Sequence, residues 1–287
     1  MLNDKVVLVT GGGRGIGFAI AKYCLEHGAS VVIVDHVLER VQRALSSLTS
    51  ISERVHGIFE SVSYQEGAER IANETVRKFG KIDALINNAA ITKDNLLLNM
   101  TDDEFNEVID TNLKGPYFCA KAVLPSMLEQ GSGKIVNMIA ASGVSGNPGQ
   151  TNYAASKGGL LAMTLTWSAE LKRKNIQVNA VIPAAWTEMS ESIPEHVLLK
   201  VLGEERLKKL KSRKPSQVAP LIGFLISDAG SKVSGQCFGI AGRELTIWGF
   251  ARPEITKISS NEEWTYEELC RLVENERLWQ KPVSPFL

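Results

Sequence analysis

The sequence predicts an α/β protein built on a doubly wound parallel β-sheet. Short apolar segments alternate along the chain with longer amphipathic helical segments. Some apolar segments are uninterrupted, such as residues 31–34 ("VVIV"), as expected of strands buried on both faces. A glycine-rich turn at residues 10–17 ("TGGGRGIG") joins the first strand to the first helix. This alternation requires helical crossovers, which make neighbouring strands parallel and cover the sheet on both sides.

The predicted strands are short runs rich in valine and isoleucine, which favour extended backbone. The third run, "VHGIFESV", is the weakest because polar residues interrupt it. Each of the others ends in glycine, proline or a polar residue, where the chain turns toward a helix. The seven strands are expected near residues 5–10, 30–36, 55–62, 82–89, 134–140, 176–183 and 235–242.

The predicted helices follow the strands and carry apolar residues at helical spacing. Gly28 and Gly80 are expected to end the first and third helices, since glycine readily adopts the left-handed backbone found there. A single long helix is predicted before the fifth strand. The helices are expected near residues 17–28, 37–48, 67–80, 103–128, 152–174 and 218–227.

The alternation stops near residue 251, which suggests two parts of unequal size. Residues 1–251 are predicted to form the main domain. Residues 252–287 form a C-terminal extension with no predicted strand and one helical pattern at residues 266–278. Its Trp264 and Trp279 are costly to leave in water. We therefore expect the extension to pack on the body or on a neighbouring subunit.

Composition excludes several classes of protein. The chain has 287 residues, 44% of them hydrophobic, and a formal net charge of +0, so no global field attracts nucleic acid or anionic membranes. No apolar run approaches the ~18 residues of a membrane span, and the first residues do not resemble a signal peptide. The four cysteines and four histidines show no metal-ligand spacing. We expect a cytoplasmic protein without a metal, a membrane anchor or a nucleic-acid partner.

The glycine-rich turn indicates a dinucleotide site. Its glycines allow a tight turn and a close approach of backbone to a pyrophosphate, and the following helix N-terminus attracts negative charge. Asp35 ends the second strand, where its carboxylate would accept hydrogen bonds from ribose hydroxyls and repel a 2′-phosphate. Arg14 favours the opposite choice because it could pair with a phosphate. On balance the sequence favours NAD, with NADP less favoured.

Tyr153 and Lys157 lie four residues apart on a predicted helix, so their side chains share one face. A free tyrosine, with a pKa near ~10, is a poor base at neutral pH. A lysine cation beside it, together with the positive nicotinamide ring of a cofactor, would stabilise the phenolate and lower that pKa. The tyrosine could then exchange a proton with a carbinol oxygen while a cofactor carries hydride.

Four segments together resemble the short-chain dehydrogenase/reductase family over about residues 4–243: "TGGGRGIG", "NNAA", "NLKGPYFCAKAVLP" and "NYAASKGGLLAMT". The resemblance implies one Rossmann-like domain with seven parallel strands, usually in a dimer or tetramer. It implies that Asn87 and Asn88 line the adenosine side, that Asn112 supports a proton-relay water, and that Ile182 contacts the carboxamide. The implied cofactor-binding residues are Gly11, Arg14, Gly15, Ile16, Gly17, Asp35, Ser61, Val62, Asn88, Ala89, Tyr153, Lys157, Pro183 and Thr187.

Two branches of this family share further segments with the chain. "NNAAITKDNLLLNM" is similar to 3-oxoacyl-acyl-carrier-protein reductases. "SGVSGNPGQTNYAASK" and "VAPLIGFL" resemble the (3R)-hydroxyacyl-CoA dehydrogenase part of multifunctional enzyme type 2. Both resemblances imply an acyl thioester substrate with oxygen at the β-carbon. Asp35 matches the NAD-using branch.

The family's catalytic serine aligns with Ala140, and this departure leaves two alternatives. In the first, the protein is an active dehydrogenase and Ser142 supplies the missing hydroxyl from the same side of an extended loop. In the second, it is an impaired or inactive NAD-binding subunit that supports an active partner in a hetero-oligomer. Losing one such donor typically costs about 10²–10³ in rate. Asn112, Tyr153 and Lys157 favour the first alternative.

Residues 188–215 occupy the place of the family's substrate lid. Their later part is basic, with Arg206 and Lys208 followed by further lysines and one arginine before Pro215. One interpretation is a docking site for an anionic handle such as the phosphates of CoA or an acidic carrier protein. The other is an ordinary solvated helix face.

Overall fold

In the computed structural model, the described strands form one sheet of eight, in the order β3-β2-β1-β4-β5-β6-β7-β8. The structure describes residues 1–191, 195–249, 259 and 263–273. Strands β1 to β7 are parallel, and β8 runs antiparallel to β7. The strands are β1 Val6–Thr10, β2 Ser30–Asp35, β3 Val55–Phe59, β4 Ala84–Asn87, β5 Gly133–Met138, β6 Ile176–Pro183, β7 Cys237–Ala241 and β8 Glu244–Ile247.

The predicted class is confirmed, and the seven predicted parallel strands are all present. Strand β8 was not predicted from the sequence. Gly242 and Arg243 form a two-residue turn between Ala241 and Glu244, with Gly242 at a φ of 64°. Such a turn, with glycine at its first position, is typical of β-hairpins. Strand β8 was overlooked because all four of its residues are exposed, so it lacks the apolar signature of its neighbours.

Helices cover both faces of the sheet. Helices α1, α2 and α10 pack on one face, and α3, α5 and α7 on the other. Each face is filled by valine, isoleucine and leucine from alternate strand positions, as two-sided burial of a parallel sheet requires. The helices are α1 Gly15–Glu26, α2 Leu38–Thr49, α3 Gln65–Phe79, α4 Asp102–Ile109, α5 Gly115–Glu129, α6 Ser142–Ser145, α7 Thr151–Glu170, α8 Glu188–Glu191, α9 Glu195–Lys211, α10 Ala219–Ile226 and α11 Tyr266–Val273.

The long helix predicted at residues 103–128 contains a π-helical segment. A capping box formed by Thr101 and Glu104 begins α4, which ends at Ile109. The backbone then widens into a π-helix over Asp110–Lys114 before α5 begins at Gly115. Segments of this kind occur often at functional sites because they redirect side chains. Here the segment carries Asn112.

The strand order reverses direction between β1 and β4, which places a crevice at their carboxyl ends. Helices lead away from these two strands on opposite sides of the sheet, since α1 packs on one face and α5 on the other. In open α/β sheets, ligands bind in the crevice at this switch point. The fold therefore locates the candidate site beside the glycine-rich turn after β1.

The chain divides into two compact units, residues 1–248 and 249–287. In the second unit, Thr265 and Glu268 exchange hydrogen bonds as a capping box at the start of α11. The described helix ends at Val273, and the rest of the predicted pattern to residue 278, with Trp279, lies outside the described residues. The described helices include none with the length and apolar character needed to cross a bilayer.

Candidate active site

The glycine-rich turn adopts backbone that only glycine takes readily. Gly11 and Gly15 have φ values of 63° and 56°. Gly17 lies at the start of α1 and packs directly against the turn, because a Cβ atom there would stand 2.2 Å from the Gly11 carbonyl oxygen. These three positions allow the backbone amides at the start of α1 to face the crevice.

Thr10 and Asn88 fasten this turn to the end of β4. The Thr10 hydroxyl accepts hydrogen bonds from the amides of Asn88 at 3.0 Å and Ala89 at 3.1 Å. The Asn88 side chain in turn donates to the carbonyl oxygens of Thr10 at 2.9 Å and Gly11 at 3.1 Å. Asn88 therefore lines the crevice while holding its floor in place.

Asp35 ends β2 with its side chain buried beside the turn. Its Oδ1 accepts a hydrogen bond from the Val37 amide at 3.1 Å. Arg40 and His36 each place a nitrogen 3.6 Å from the same oxygen. A Cβ atom on Gly13 would lie 2.7 Å from Oδ2, so the carboxylate fills the space beside the turn.

Tyr153 and Lys157 lie on α7 at the other end of the crevice. Lys157 is buried, and its Nζ donates a hydrogen bond to the Met138 carbonyl oxygen at 2.9 Å. The same Nζ stands 5.6 Å from the centre of the Tyr153 ring. The carbonyl at the end of β5 therefore fixes the ammonium beside the phenol.

Burial controls the pKa values of both groups in the protein alone. Burial raises the pKa of Tyr153 to about 12, and the negative charge of Asp94 acts in the same direction. Burial also lowers the pKa of Lys157 to about 8. The expected lowering of the Tyr153 pKa depends on the nicotinamide ring of a bound cofactor as well as on Lys157, so it remains a prediction for the complex. In the protein without a cofactor, the desolvation cost of a phenolate is the largest cause of the raised pKa.

These residues line one crevice of about 520 Å³, a size typical of ligand sites. The structure brings together Tyr153 and Lys157 with all but one of the predicted cofactor-binding residues. These are Gly11, Arg14, Gly15, Ile16, Asp35, Ser61, Val62, Asn88, Ala89, Pro183 and Thr187. The other predicted residue, Gly17, stands behind the turn. Asn87 and Ile182 are not among the lining residues, and Asn87 bonds to Asn137 of β5 at 2.9 Å instead.

Asn112 lies behind the crevice wall, in the π-helical segment. Its Oδ1 accepts a hydrogen bond from the Ile91 amide at 2.9 Å, and its Nδ2 donates to the Ile91 carbonyl at 2.9 Å. Nδ2 also lies 3.4 Å from the hydroxyl of Ser156, which itself donates to the Tyr153 carbonyl. Asn112 therefore joins the chain after β4 to the helix that carries the tyrosine.

The structure contradicts the expected placement of Ser142. The prediction assumed an extended loop in which residues 140 and 142 point to the same side. Instead Ala141 is helical and Ser142 begins the short helix α6, so the two side chains point in different directions. Gly143 packs tightly on α7, where a Cβ atom would lie 2.8 Å from the Lys157 Cβ. Neither Ala140 nor Ser142 is among the residues lining the crevice.

Several charged groups around the crevice were not predicted from the sequence. Glu188, the first residue of α8, lines it and forms an ion pair with Arg14. Lys93 and Glu107 line the tyrosine end and pair at 2.8 Å. The position of Glu188 directly after Thr187 was the sequence signal that could have identified it. Its partner, Arg14, is distant in sequence, so the ion pair could not be inferred.

The basic run in the predicted lid is partly neutralised by the protein itself. Lys209 and Arg213 both pair with Glu244 of β8, and Lys211 pairs with Glu195 at the start of α9. These ion pairs lie mostly at the surface, so each contributes little to stability. They nevertheless reduce the positive charge available to an anionic ligand.

Comparison with known proteins establishes the class. A profile of the short chain dehydrogenase family matches residues 5–197. The chain belongs to this family, and it is accordingly a nicotinamide-dependent oxidoreductase acting on CH–OH groups.

Individual relatives cover nearly all of the first unit. The chain is 40% identical over 242 residues to the 3-oxoacyl-acyl-carrier-protein reductase FabG of Thermotoga maritima, covering 84% of this chain and 98% of the relative. It is 35% identical over 241 residues to the FabG of Staphylococcus epidermidis, covering 83% and 98%. The solved structure of levodione reductase matches with a TM-score of 0.76 and 31% identity, covering 84% and 98%. A short chain dehydrogenase from Mycobacterium avium matches with a TM-score of 0.84 and 28% identity, covering 98% and 97%.

The crevice fits a nicotinamide dinucleotide on structural grounds. Left-handed glycines leave backbone exposed at one end, an acidic side chain closes the space beside them, and the tyrosine–lysine pair lies at the other end. A bound nicotinamide cofactor would supply or accept hydride there. In this arrangement the chain's own groups hold the cofactor and exchange a proton.

The Arg14–Glu188 ion pair is expected to weaken cofactor binding. An anionic dinucleotide in the crevice meets the Glu188 carboxylate and an arginine whose charge is already neutralised. We expect Glu188→Gln to lower the Kd for NADH by about 2- to 5-fold, because partly exposed ion pairs contribute ~0.2–1 kcal/mol. Fluorescence titration of NADH measures this change.

Glu191→Gln is the matched control, since Glu191 lies in the same short helix but accepts a hydrogen bond from Trp186 outside the crevice. An equal gain in both variants would show that the effect is not due to the Arg14 contact.

The buried Lys157 is expected to make stability depend on pH. Its folded pKa of about 8 lies below the ordinary lysine value of ~10.4. Between these values the unfolded chain binds a proton that the folded protein does not, so the free energy of unfolding rises with pH. Relative to Lys157→Met, wild-type protein should gain about 2 kcal/mol between about pH 8 and pH 10.

Urea unfolding of both proteins at these two pH values measures the gain. The other titrating groups are common to both proteins and cancel in the difference. Parallel pH dependence in the two proteins would contradict the proposed shift of the Lys157 pKa.

Proposed function

We propose that this protein is an NAD-dependent oxidoreductase that interconverts 3-hydroxyacyl and 3-oxoacyl thioesters. The observation that carries this proposal is the meeting of Tyr153 and Lys157 with the glycine turn and Asp35 in one crevice. A proton donor and a dinucleotide cradle at opposite ends of one site suit hydride transfer coupled to proton transfer.

The choice of NAD over NADP rests on Asp35. Its buried carboxylate ends β2 beside the turn, where it suits ribose hydroxyls and opposes a 2′-phosphate. Arg14 is paired with Glu188, which reduces its value as a phosphate partner. Arg40 is the remaining cation beside Asp35, at 3.6 Å, and it is the group that favours NADP.

Support for an acyl thioester comes from the relatives and from the surface beside the crevice. The relatives that share 35–40% of their residues with the chain are named as 3-oxoacyl reductases. The segment that leaves the crevice after Lys93 carries three consecutive exposed leucines, Leu96, Leu97 and Leu98. These side chains offer an apolar surface to an acyl chain. Arg206 and Lys208 remain available for an anionic handle, because the ion pairs among the described residues involve other members of the basic run.

In the proposed mechanism Tyr153 exchanges a proton with the substrate oxygen. Its raised pKa keeps it a protonated phenol at neutral pH, which suits donation during reduction of a ketone. Lys157, held by the Met138 carbonyl, stabilises the phenolate left behind. Asn112 is a positioning residue that fixes the segment after β4 relative to α7.

The alternative function is an impaired NAD-binding subunit that supports an active partner. Ala140 lacks the family's hydroxyl, and the helical start of α6 removes the simplest replacement for it. The intact tyrosine–lysine pair argues against complete loss of activity. We favour a working enzyme with a reduced rate.

The remaining parts are assigned by position. Residues 188–215 form the substrate lid, within which α9 changes direction at Gly203, whose φ is 74°. We propose that residues 1–251 form the dehydrogenase domain and that residues 252–287 form a C-terminal extension. We propose that the protein acts as a dimer or tetramer, alone or with a different subunit.

The proposed activity is tested by NADH oxidation with acetoacetyl-CoA, with NADPH as the cofactor control. Wild-type protein should turn over with NADH, and Tyr153→Phe should lose about 10²-fold or more because it removes the only proposed proton donor. NADH should remain bound in the variant by fluorescence titration. Turnover that survives in Tyr153→Phe would refute the mechanism, and faster turnover with NADPH would refute the cofactor preference.

Ala140→Ser should raise kcat, because it restores a hydroxyl that stabilises the substrate oxygen. Removing one such donor from an enzyme costs about 10²–10³, so a gain of about 10-fold or more is expected from an imperfectly adapted site. Ser142→Ala is the matched control and should leave kcat unchanged, because Ser142 begins α6 and its side chain points in a different direction from that of Ala140. A large loss in Ser142→Ala would show that this hydroxyl does reach the substrate.

A further inference from the structure

Lys134 is a buried lysine at the end of the sheet opposite the active site. It is the second residue of β5, and only 8% of it is exposed. Its Nζ is fully buried and has no hydrogen-bond partner among the described residues. Burying an ammonium group without a partner is costly, so this position calls for an explanation other than packing.

The direction of the side chain follows from the strand. Alternate residues of β5 point to opposite faces, and Val136 and Met138 belong to the face covered by α1 and α10. Lys134 therefore points toward the same face, at the level where α10 ends at Ile226. The apolar side chains on this face of the sheet end at this level, and the residues beyond them are mostly polar.

A cavity of about 120 Å³ adjoins the lysine. It has room for several water molecules or for one small polyatomic ion. Hydroxyl, amide and ammonium groups supply most of its polar lining. The lining residues are Lys5, Asp83, Ser132, Gly133, Lys134, Asn175, Gln177, Ile226, Asp228 and Ser231.

The carboxylates of the cavity are already engaged with other groups. Asp83 accepts a hydrogen bond from the Val6 amide at 2.7 Å and pairs with Lys81 at 3.0 Å. Asp228 pairs with Lys5 at 2.9 Å, and its side chain is largely exposed to solvent. Lys134 is thus left as the cation of the cavity without an ion pair among the described residues.

The direction of the Lys134 pKa shift is consistent with a lysine that has no ion-pair partner in the described part of the chain. Burial and the charge of Lys5 lower the pKa of Lys134, and Asp228 acts in the opposite direction. A second negative charge in the cavity would reverse this balance, because an ion pair favours the charged form of the lysine. Hydrogen bonds between an ammonium and an oxyanion are also stronger than neutral ones.

We propose that this cavity binds a small oxyanion, with Lys134 as its principal ligand and Lys5, Ser132 and Ser231 around it. Inorganic phosphate and short carboxylates share the required chemistry: negatively charged oxygens that accept several hydrogen bonds. The inference is independent of the proposed function, since Lys134 lies at the beginning of β5 and the active-site contact, Met138, lies at its end.

The test compares thermal stability in phosphate, acetate and chloride at equal ionic strength and pH. Saturating NADH is included so that phosphate does not act through the crevice. In wild-type protein, phosphate or acetate should raise Tm by about 2–4 °C above chloride, since an anion that binds only the folded state stabilises it. The anion that gives the larger rise in Tm shows whether the site prefers a phosphate or a carboxylate.

Lys134→Met should abolish this rise, because it keeps the apolar stem and removes the ammonium. Lys22→Met is the matched control: it removes the same charge from the exposed surface of α1 and should keep the rise. Lys134→Gln replaces Lys134→Met if the latter does not fold. An equal rise in wild-type and Lys134 variants, or no rise in wild-type protein with either anion, would overturn the proposal.

Discussion

The hydrogen bonds between Thr10 and the end of β4 determine the shape of the active site. One threonine hydroxyl donates to the Ile86 carbonyl and accepts from two successive backbone amides. The Asn88 side chain completes the connection by donating back to the glycine turn. The neighbouring strands β1 and β4 are thereby held together where the crevice begins. The exposed backbone of the turn can point at a ligand only because these side chains satisfy the groups behind it.

The opposite wall of the crevice depends on β5 in a similar way. The carbonyl at Met138 holds a buried lysine, which costs free energy that the single hydrogen bond only partly offsets. Burial raises the pKa of Tyr153 and lowers that of Lys157, so it opposes the charged form of each group, although a lysine pKa of about 8 leaves the ammonium predominant at neutral pH. Shifted pKa values of this kind are common where proton transfer occurs. A substrate oxygen and a bound cofactor would complete the surroundings of both groups.

The sequence was sufficient for the parts governed by local pattern. Alternating apolar segments located seven strands, and the glycine turn, Asp35, Tyr153 and Lys157 located the crevice. Features that depend on distant contacts were not accessible. Strand β8 is exposed and was recognisable only from its two-residue turn. The helical start of α6 reversed the expected direction of Ser142, and the Arg14–Glu188 pair joins residues 174 positions apart. In the sequence Lys134 has the pattern of an ordinary strand residue, and only the structure shows which groups surround it.

The π-helical segment between α4 and α5 makes this part of the chain sensitive to changes in length. Each residue of an α-helix turns the chain by about 100°. A π-helical turn accommodates one more residue than an α-helical turn, so losing a single residue would convert it into regular helix. Glu107, on the crevice side of α4, would then rotate relative to α5, whose packing on α3 holds it in place. Natural variation in this stretch should therefore appear as substitution, with insertions and deletions confined to the loops on either side.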